Sequence, residues 1–301
     1  MTGRRASALA AIAVVAALSA CGSKPAVVSQ GPAASPTNAA DTTVTAGVAS
    51  STTPPTPAPA PPAPATAGWV LGATPLPKGP DGTPLVLPTP PSLRDRRLTA
   101  PDRLPPPPEG APYRSSAVPI DAALAARMGS THQPGCPVPL ADLRHLTLSF
   151  WGFDGRTHTG ELVVNAKVAA DVQEVFGKLF AARFPLEEMR VVEPGDLTAE
   201  PTGDGNTSAA FVCRPIRGST STPSAHSSGL AIDINPFQNP YKKGTSVLPE
   251  LAGAYLDRSP ARPGMITRGD VVTRAFAEIG WGWGGAWTSS TDTMHFSANG
   301  R

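Results

Sequence analysis

Apolar positions fall into regular patterns only over the second half of the chain. Gly160-Glu161-Leu162-Val163-Val164 is a short apolar run of strand length, and Asn165 behind it is a residue type that caps helices. From there Val168, Val172, Val175, Phe176, Leu179 and Phe180 recur mostly at spacings of three and four. That period lays them along one helical stripe, which Pro185 must end. Met189 to Val192, Ala209 to Cys213 and Leu230 to Ile234 have the composition of strands. Asp270 can cap a second helix carrying Val272, Ala275, Phe276 and Ile279, with Gly280 closing it. Trp281 to Trp283 and Thr293 to Phe296 read as strands again. Strands and helices mixed without regular βαβ alternation predict an α+β domain, an antiparallel sheet with flanking helices.

The first half has a different texture. Residues 22–112 contain 23 of the 37 prolines in the 301-residue chain. A segment so rich in Pro, Ala and Thr buries too little apolar surface to offset its ordering entropy. Residues 22–66 therefore read as an extended tether. Residues 67–112 add Trp69, Val70, Leu71, Leu85, Val86 and Leu87, which either dock on the domain as a strap or stay loose; disorder or loose docking is the expectation, with Pro105 to Pro108 a stiff spacer. Before the tether, Arg4 and Arg5 precede an apolar run, Ala8 to Leu18, too short to span a bilayer but suited to a secretory signal. Leu18-Ser19-Ala20-Cys21-Gly22 resembles the lipobox of bacterial lipoproteins, in which the Cys is lipidated; an ordinary secretory signal with an incidental Cys is the alternative. The expected organisation is residues 1–20 signal peptide, 21–115 lipidated tether, and 116–301 the folded domain.

Charge and cysteine count sharpen this. Without Arg4 and Arg5 the chain has 23 basic and 23 acidic residues, so nothing marks it for nucleic acid. Three cysteines are present. Lipidation of Cys21 leaves Cys136 and Cys213 in an oxidising compartment, where a bridge between them is expected, with two separate buried thiols as the alternative. The protein is expected outside the cytoplasm, anchored to the cell membrane by acyl chains, as a monomer.

Two stretches concentrate the chemistry. Asp233 lies inside Leu230-Ala231-Ile232-Asp233-Ile234, and no Lys or Arg stands within five residues of it. An ionised carboxylate in such a run must be paired, protonated or bound to a cation, and a metal is the economical answer. His226 is a suitable second ligand, with Gly229 between them allowing a sharp turn. In the second stretch, Asp292-Thr293-Met294-His295-Phe296, His295 is again flanked by apolar residues. Two His and one carboxylate leave an open coordination position, as in catalytic zinc sites, and a further carboxylate such as Asp292 is the general base a zinc hydrolase needs. A hydrogen-bonded core His and a loop-capping Asp are the plainer readings.

The string Ser224-Ala225-His226…Gly229…Ala231…Asp233, followed by Asp292-Thr293-Met294-His295-Phe296, resembles the VanY-type zinc D-alanyl-D-alanine carboxypeptidases. Their relatives include D-Ala-D-Ala dipeptidases and L-alanyl-D-glutamate endopeptidases. Phe211-Val212-Cys213-Arg214, Asn235-Pro236 and Trp283-Gly284-Gly285…Trp287 extend the likeness over roughly residues 136–297. The resemblance implies a single peptidase domain of the D,D-peptidase/hedgehog-like type acting on peptidoglycan stem peptides. It implies that His226, Asp233 and His295 bind Zn2+ and that Asp292 is the general base. Arg214, with Arg217 second, would stabilise the oxyanion or the substrate carboxylate. Ser224 would orient a ligand or the substrate, and Trp287 and Trp283 would wall the pocket. A non-catalytic wall-binding lipoprotein of the same fold, or a metallopeptidase with another substrate, are the competing expectations.

Overall fold

The computed structural model describes residues 69–216, 219 and 221–300. The expected signal peptide, Cys21, the 22–66 tether and Arg217 lie outside the described residues.

Strand β1 (Ser115–Pro119) leads through helix α1 (Ala122–Met128) to a long hairpin of β2 (Leu143–Gly152) and β3 (Thr157–Asn165). The three pair antiparallel in the order β1-β2-β3, and β4 (Pro185–Leu186) joins the end of β2 in parallel. Asn165 caps the next turn by accepting from the Lys167 amide, and helix α2 (Ala169–Ala181) follows. Its stripe packs inward as Val172, Val175, Phe176 and Leu179, while Phe180 sits half-buried. Short strands β5 (Glu188–Met189) and β6 (Thr207–Ser208) flank helix α3 (Pro194–Thr198).

A second sheet carries Asp233 and His295. Its centre is β12 (His295–Ser297), antiparallel to β7 (Ala231–Asp233) on one side and to β10 (Gly282–Trp283) on the other. Beside it, β8 (Tyr241–Lys243) pairs antiparallel with β9 (Ser246–Leu248) and β11 (Thr291–Asp292). Helix α4 (Val271–Glu278) starts at Asp270, whose carboxylate accepts from the Thr273 amide. Helices α2 and α4 pack together with residues from both larger sheets in one core: Leu146, Leu162, Val164, Ile232, Ile234, Phe276 and Phe296 are all buried there. Phe276 stacks on Phe296 with ring centroids 4.1 Å apart.

The structure departs from the expectations in two places. Of Met189 to Val192 and Ala209 to Cys213, only Met189 lies in a strand, at the end of β5, and Ala209 forms an isolated bridge. The latter segment is extended but shared out: Ala209 bridges Asp233, the Phe211 amide donates to Val163, and the Cys213 amide donates to Thr131. A stretch that changes partner at every second residue builds no ladder.

The larger departure is the boundary at residue 115. Residues 69–114 pack on the domain. Leu93 and Leu76 are buried with Phe237, Leu251, Tyr255 and Met265, and Trp69 and Leu87 lie against this cluster. Val70, Leu71, Leu85 and Val86 stay exposed. Arg96 is 1% exposed and ion-pairs with buried Glu187. Within the supposed spacer, the Pro105 carbonyl accepts from the Thr159 hydroxyl. The strap's apolar partners sit more than a hundred residues away, so no local periodicity announces it.

Candidate metal centre

Strand alternation explains why Asp233 sits in an apolar run. Ile232 and Ile234 point into the core, and Asp233 between them points to the opposite face. His295 is its direct antiparallel partner, and the adjacent Phe296 is core. Opposed residues of antiparallel strands place their side chains side by side, so the pairing itself brings the carboxylate to the imidazole.

His226 arrives from a 3-10 turn, Ala225–Ser228. Ser224 caps that turn, its hydroxyl accepting from the His226 amide at 3.4 Å. Gly229 closes it at φ +66°, and a Cβ there would stand 2.6 Å from the Asn165 nitrogen. Only glycine lets the turn press on β3, where the Asn165 amide donates to the Gly229 carbonyl.

The donor atoms converge. His226 Nε2 lies 3.3 Å from Asp233 Oδ2, His295 Nδ1 lies 3.0 Å from Asp233 Oδ1, and the two nitrogens are 3.3 Å apart. His226 Nδ1 is 2.6 Å from the Ala210 carbonyl. A carbonyl can only accept, so Nδ1 carries the hydrogen and the neutral ring's Nε2 lone pair faces a carboxylate oxygen. Two lone pairs so close repel unless positive charge lies between them, either a proton or a metal ion. Ligands 2.0–2.1 Å from a tetrahedral ion stand about 3.3 Å from one another, so the three atoms fit the donor face of such a site. His226, Asp233 and His295 form the cluster among the described residues that can hold a metal.

Asp292 flanks this cluster. Its Oδ1 is shut off from solvent and has no hydrogen-bond partner among the described residues. Burial pushes its carboxyl up to about 7, and the Asp233 carboxylate pushes the same way, against the pull of His295, His226 and Arg214. For Asp233 burial also opposes ionisation, but His226 and His295 outweigh it and hold the carboxyl well below the usual carboxylate range. Two carboxyls on one cluster are thereby pushed in opposite directions: one suits a ligand, the other a proton acceptor.

The remaining expected residues are distributed around this centre. The Trp287 ring lies 5.6 Å from the His295 ring, and its indole N–H donates to the Gly300 carbonyl. Trp283 stacks toward Phe296, and its indole N–H donates to the Thr293 carbonyl. Arg214 is exposed; its guanidinium donates to its neighbour's carbonyl, Pro215 O, and its charge is felt at Asp292. Two contributors carried no sequence signal: the Ala210 carbonyl that orients His226, and the Thr293 carbonyl between Asp292 and His295. Both are backbone groups, which any residue supplies.

Residues 217–298 match the family model described as D-alanyl-D-alanine carboxypeptidase. The match to this peptidase family takes in His226, Asp233, Asp292 and His295 and stops short of Arg214. No curated protein and no solved structure gives a significant match.

A disulfide joins Cys136 to Cys213, closing a loop with a sequence separation of 77 and pinning the 129–139 loop beside the segment that bears Ala210. Replacing both cysteines by serine is expected to lower stability by about 2–5 kcal/mol, read as a lower urea midpoint; a midpoint unchanged from wild type would exclude a structural role for the bridge.

Proposed function

We propose that the protein is a zinc metallopeptidase that hydrolyses peptide bonds of peptidoglycan stem peptides, in the manner of a D-alanyl-D-alanine carboxypeptidase, with a domain of the D,D-peptidase/hedgehog-like type. The observation that carries this reading is the triangle of donor atoms at 3.0–3.3 Å beside a buried carboxyl oxygen with no hydrogen-bond partner among the described residues. A zinc ion held by His226, Asp233 and His295 would supply an acidified water and positive charge for the oxyanion.

The chain's own residues do the rest. The Ala210 carbonyl fixes the His226 ring so that Nε2 faces the cluster. Asp292, with its carboxyl near 7 before a cation is bound, takes the proton of the attacking water and returns it to the leaving amine. Positive charge at the cluster draws that carboxyl down, so it meets the substrate ionised. Arg214, whose field reaches Asp292, holds the substrate carboxylate or the developing oxyanion. Trp287 covers the His295 side of the centre.

The same reading places the protein outside the cytoplasm as a monomer, tethered to the membrane through lipid on Cys21, which sets it beside the peptidoglycan substrate. Purified protein loaded with zinc should release free D-alanine from a stem pentapeptide and lose that activity on chelation. Release of an internal fragment instead would mark an endopeptidase. Absence of chelator-sensitive cleavage from both pentapeptide and intact muropeptides would overturn the enzyme reading.

A further inference from the structure

The buried Oδ1 of Asp292 raises a question of aim. A proton acceptor must point at its target, yet no hydrogen bond among the described residues holds that oxygen. Among the described residues, backbone pairing and packing are what fix its direction. Residues 292–296 are tied at several points. Asp292 pairs with Tyr241, the Thr293 hydroxyl donates to the Pro240 carbonyl, the Ile234 amide donates to the Met294 carbonyl, and Phe296 pairs with Trp283. The turn Gly284–Ala286 also packs against Asp292. A Cβ on Gly284 would stand 2.6 Å from the Asp292 carbonyl oxygen and 2.9 Å from its Cβ. Gly284 has no positive φ, so the need is for space, not for backbone freedom. A Cβ on Gly285 would lie 2.2 Å from the Trp283 ring. Its absence lets the indole fold back and donate to the Thr293 carbonyl at 2.9 Å, between the base and His295.

We propose that the Trp283-Gly284-Gly285 turn is a positioning device for Asp292. Gly284 sets how closely the Asp292 backbone approaches, and the Trp283 indole locks the peptide that links the base to the ligand strand. This rests on the base role proposed for Asp292. Misplacing a reacting group by about 1 Å costs on the order of a hundredfold in rate. Gly284→Ala is therefore expected to lower kcat about a hundredfold with KM and zinc stoichiometry unchanged. Trp283→Phe keeps an aromatic ring toward Phe296 but removes the N–H, with an expected loss of about tenfold. Gly195→Ala, where a Cβ meets nothing within 4 Å, should leave kcat at the wild-type value.

The measurements are steady-state kinetics on stem pentapeptide, zinc content, and crystal structures of the zinc-loaded wild type and Gly284→Ala protein. A structure with Asp292 displaced from His295 while His226, Asp233 and His295 keep their places supports the proposal. Wild-type kcat in both variants overturns it, as does a loss of rate that follows loss of zinc. If Gly284→Ala does not fold, Trp283→Phe decides by its kcat at constant KM. If the wild type itself does not cleave, the peptidase reading fails, and the structural comparison still decides this proposal: an unmoved Asp292 overturns it.

Discussion

Replacing Asp292 by Asn should reduce stem-peptide hydrolysis by a factor of about 10²–10⁴ while zinc stays bound. Asn is nearly isosteric, so the Gly284 contact and the pairing with Tyr241 survive. The three donor atoms do not include Asp292, so metal stoichiometry should be unchanged. What is lost is the ability to accept a proton at a carboxyl beside the cluster that burial and the Asp233 charge push up to about 7. His226→Ala makes the opposite separation: one corner of the donor triangle goes, and metal content should fall together with rate. Turnover assayed beside zinc content distinguishes the two patterns. Equal behaviour of wild type and Asp292→Asn would leave a wall-binding lipoprotein as the better account of the chain.

Arg96→Ala should destabilise the protein by about 3–5 kcal/mol, although Arg96 belongs to a region whose composition suggests a linker. The guanidinium is 1% exposed and forms a two-pronged pair with Glu187, Nη2 to Oε1 at 2.5 Å and Nε to Oε2 at 2.8 Å. It also donates to the Asp204 carbonyl at 2.7 Å and lies 4.4 Å over the Phe237 ring. Burial pushes the Glu187 carboxyl up, against the pull of Arg96 and Asn206. Deleting the guanidinium strands that carboxyl in the interior, and the cost is mainly that of an unpaired buried charge. Arg96→Met together with Glu187→Leu should recover much of the loss, because neither charge is then left alone. Urea unfolding of wild type, single and double variants checks the cycle; a single variant within about 0.5 kcal/mol of wild type would mean the strap does not hold the fold. By the same reasoning, a chain begun at residue 115 uncovers Phe237, Leu251 and Tyr255 and should lose solubility.

The contrast between these sites shows what can be read along a chain. The helices α2 and α4 were legible because a stripe at spacings of three and four, a capping Asn165 or Asp270 and a closing signal are all local. Asp233 was legible because a carboxylate inside Leu-Ala-Ile-Asp-Ile contradicts its neighbours, and only a partner elsewhere resolves the contradiction. The strap was not legible: Leu93 and Arg96 belong to no periodic pattern, and their partners Phe237, Tyr255 and Glu187 come from far along the chain. Likewise the segment Ala209 to Cys213 has the composition of a strand, but three different partners share its hydrogen bonds.

The sequence by itself determined which residue types the proposed chemistry rests on, two imidazoles and two carboxylates set in apolar surroundings, together with the helices and the α+β class, because each depends on neighbours within a few residues. Tertiary structure alone decided that His295 stands opposite Asp233, that the Ala210 carbonyl selects the nitrogen His226 presents, and that Asp292 Oδ1 finds no hydrogen-bond partner among the described residues while Asp233 is held by both rings. Charge, burial and orientation are properties of the surroundings in space, and those surroundings are assembled from segments that never meet along the chain.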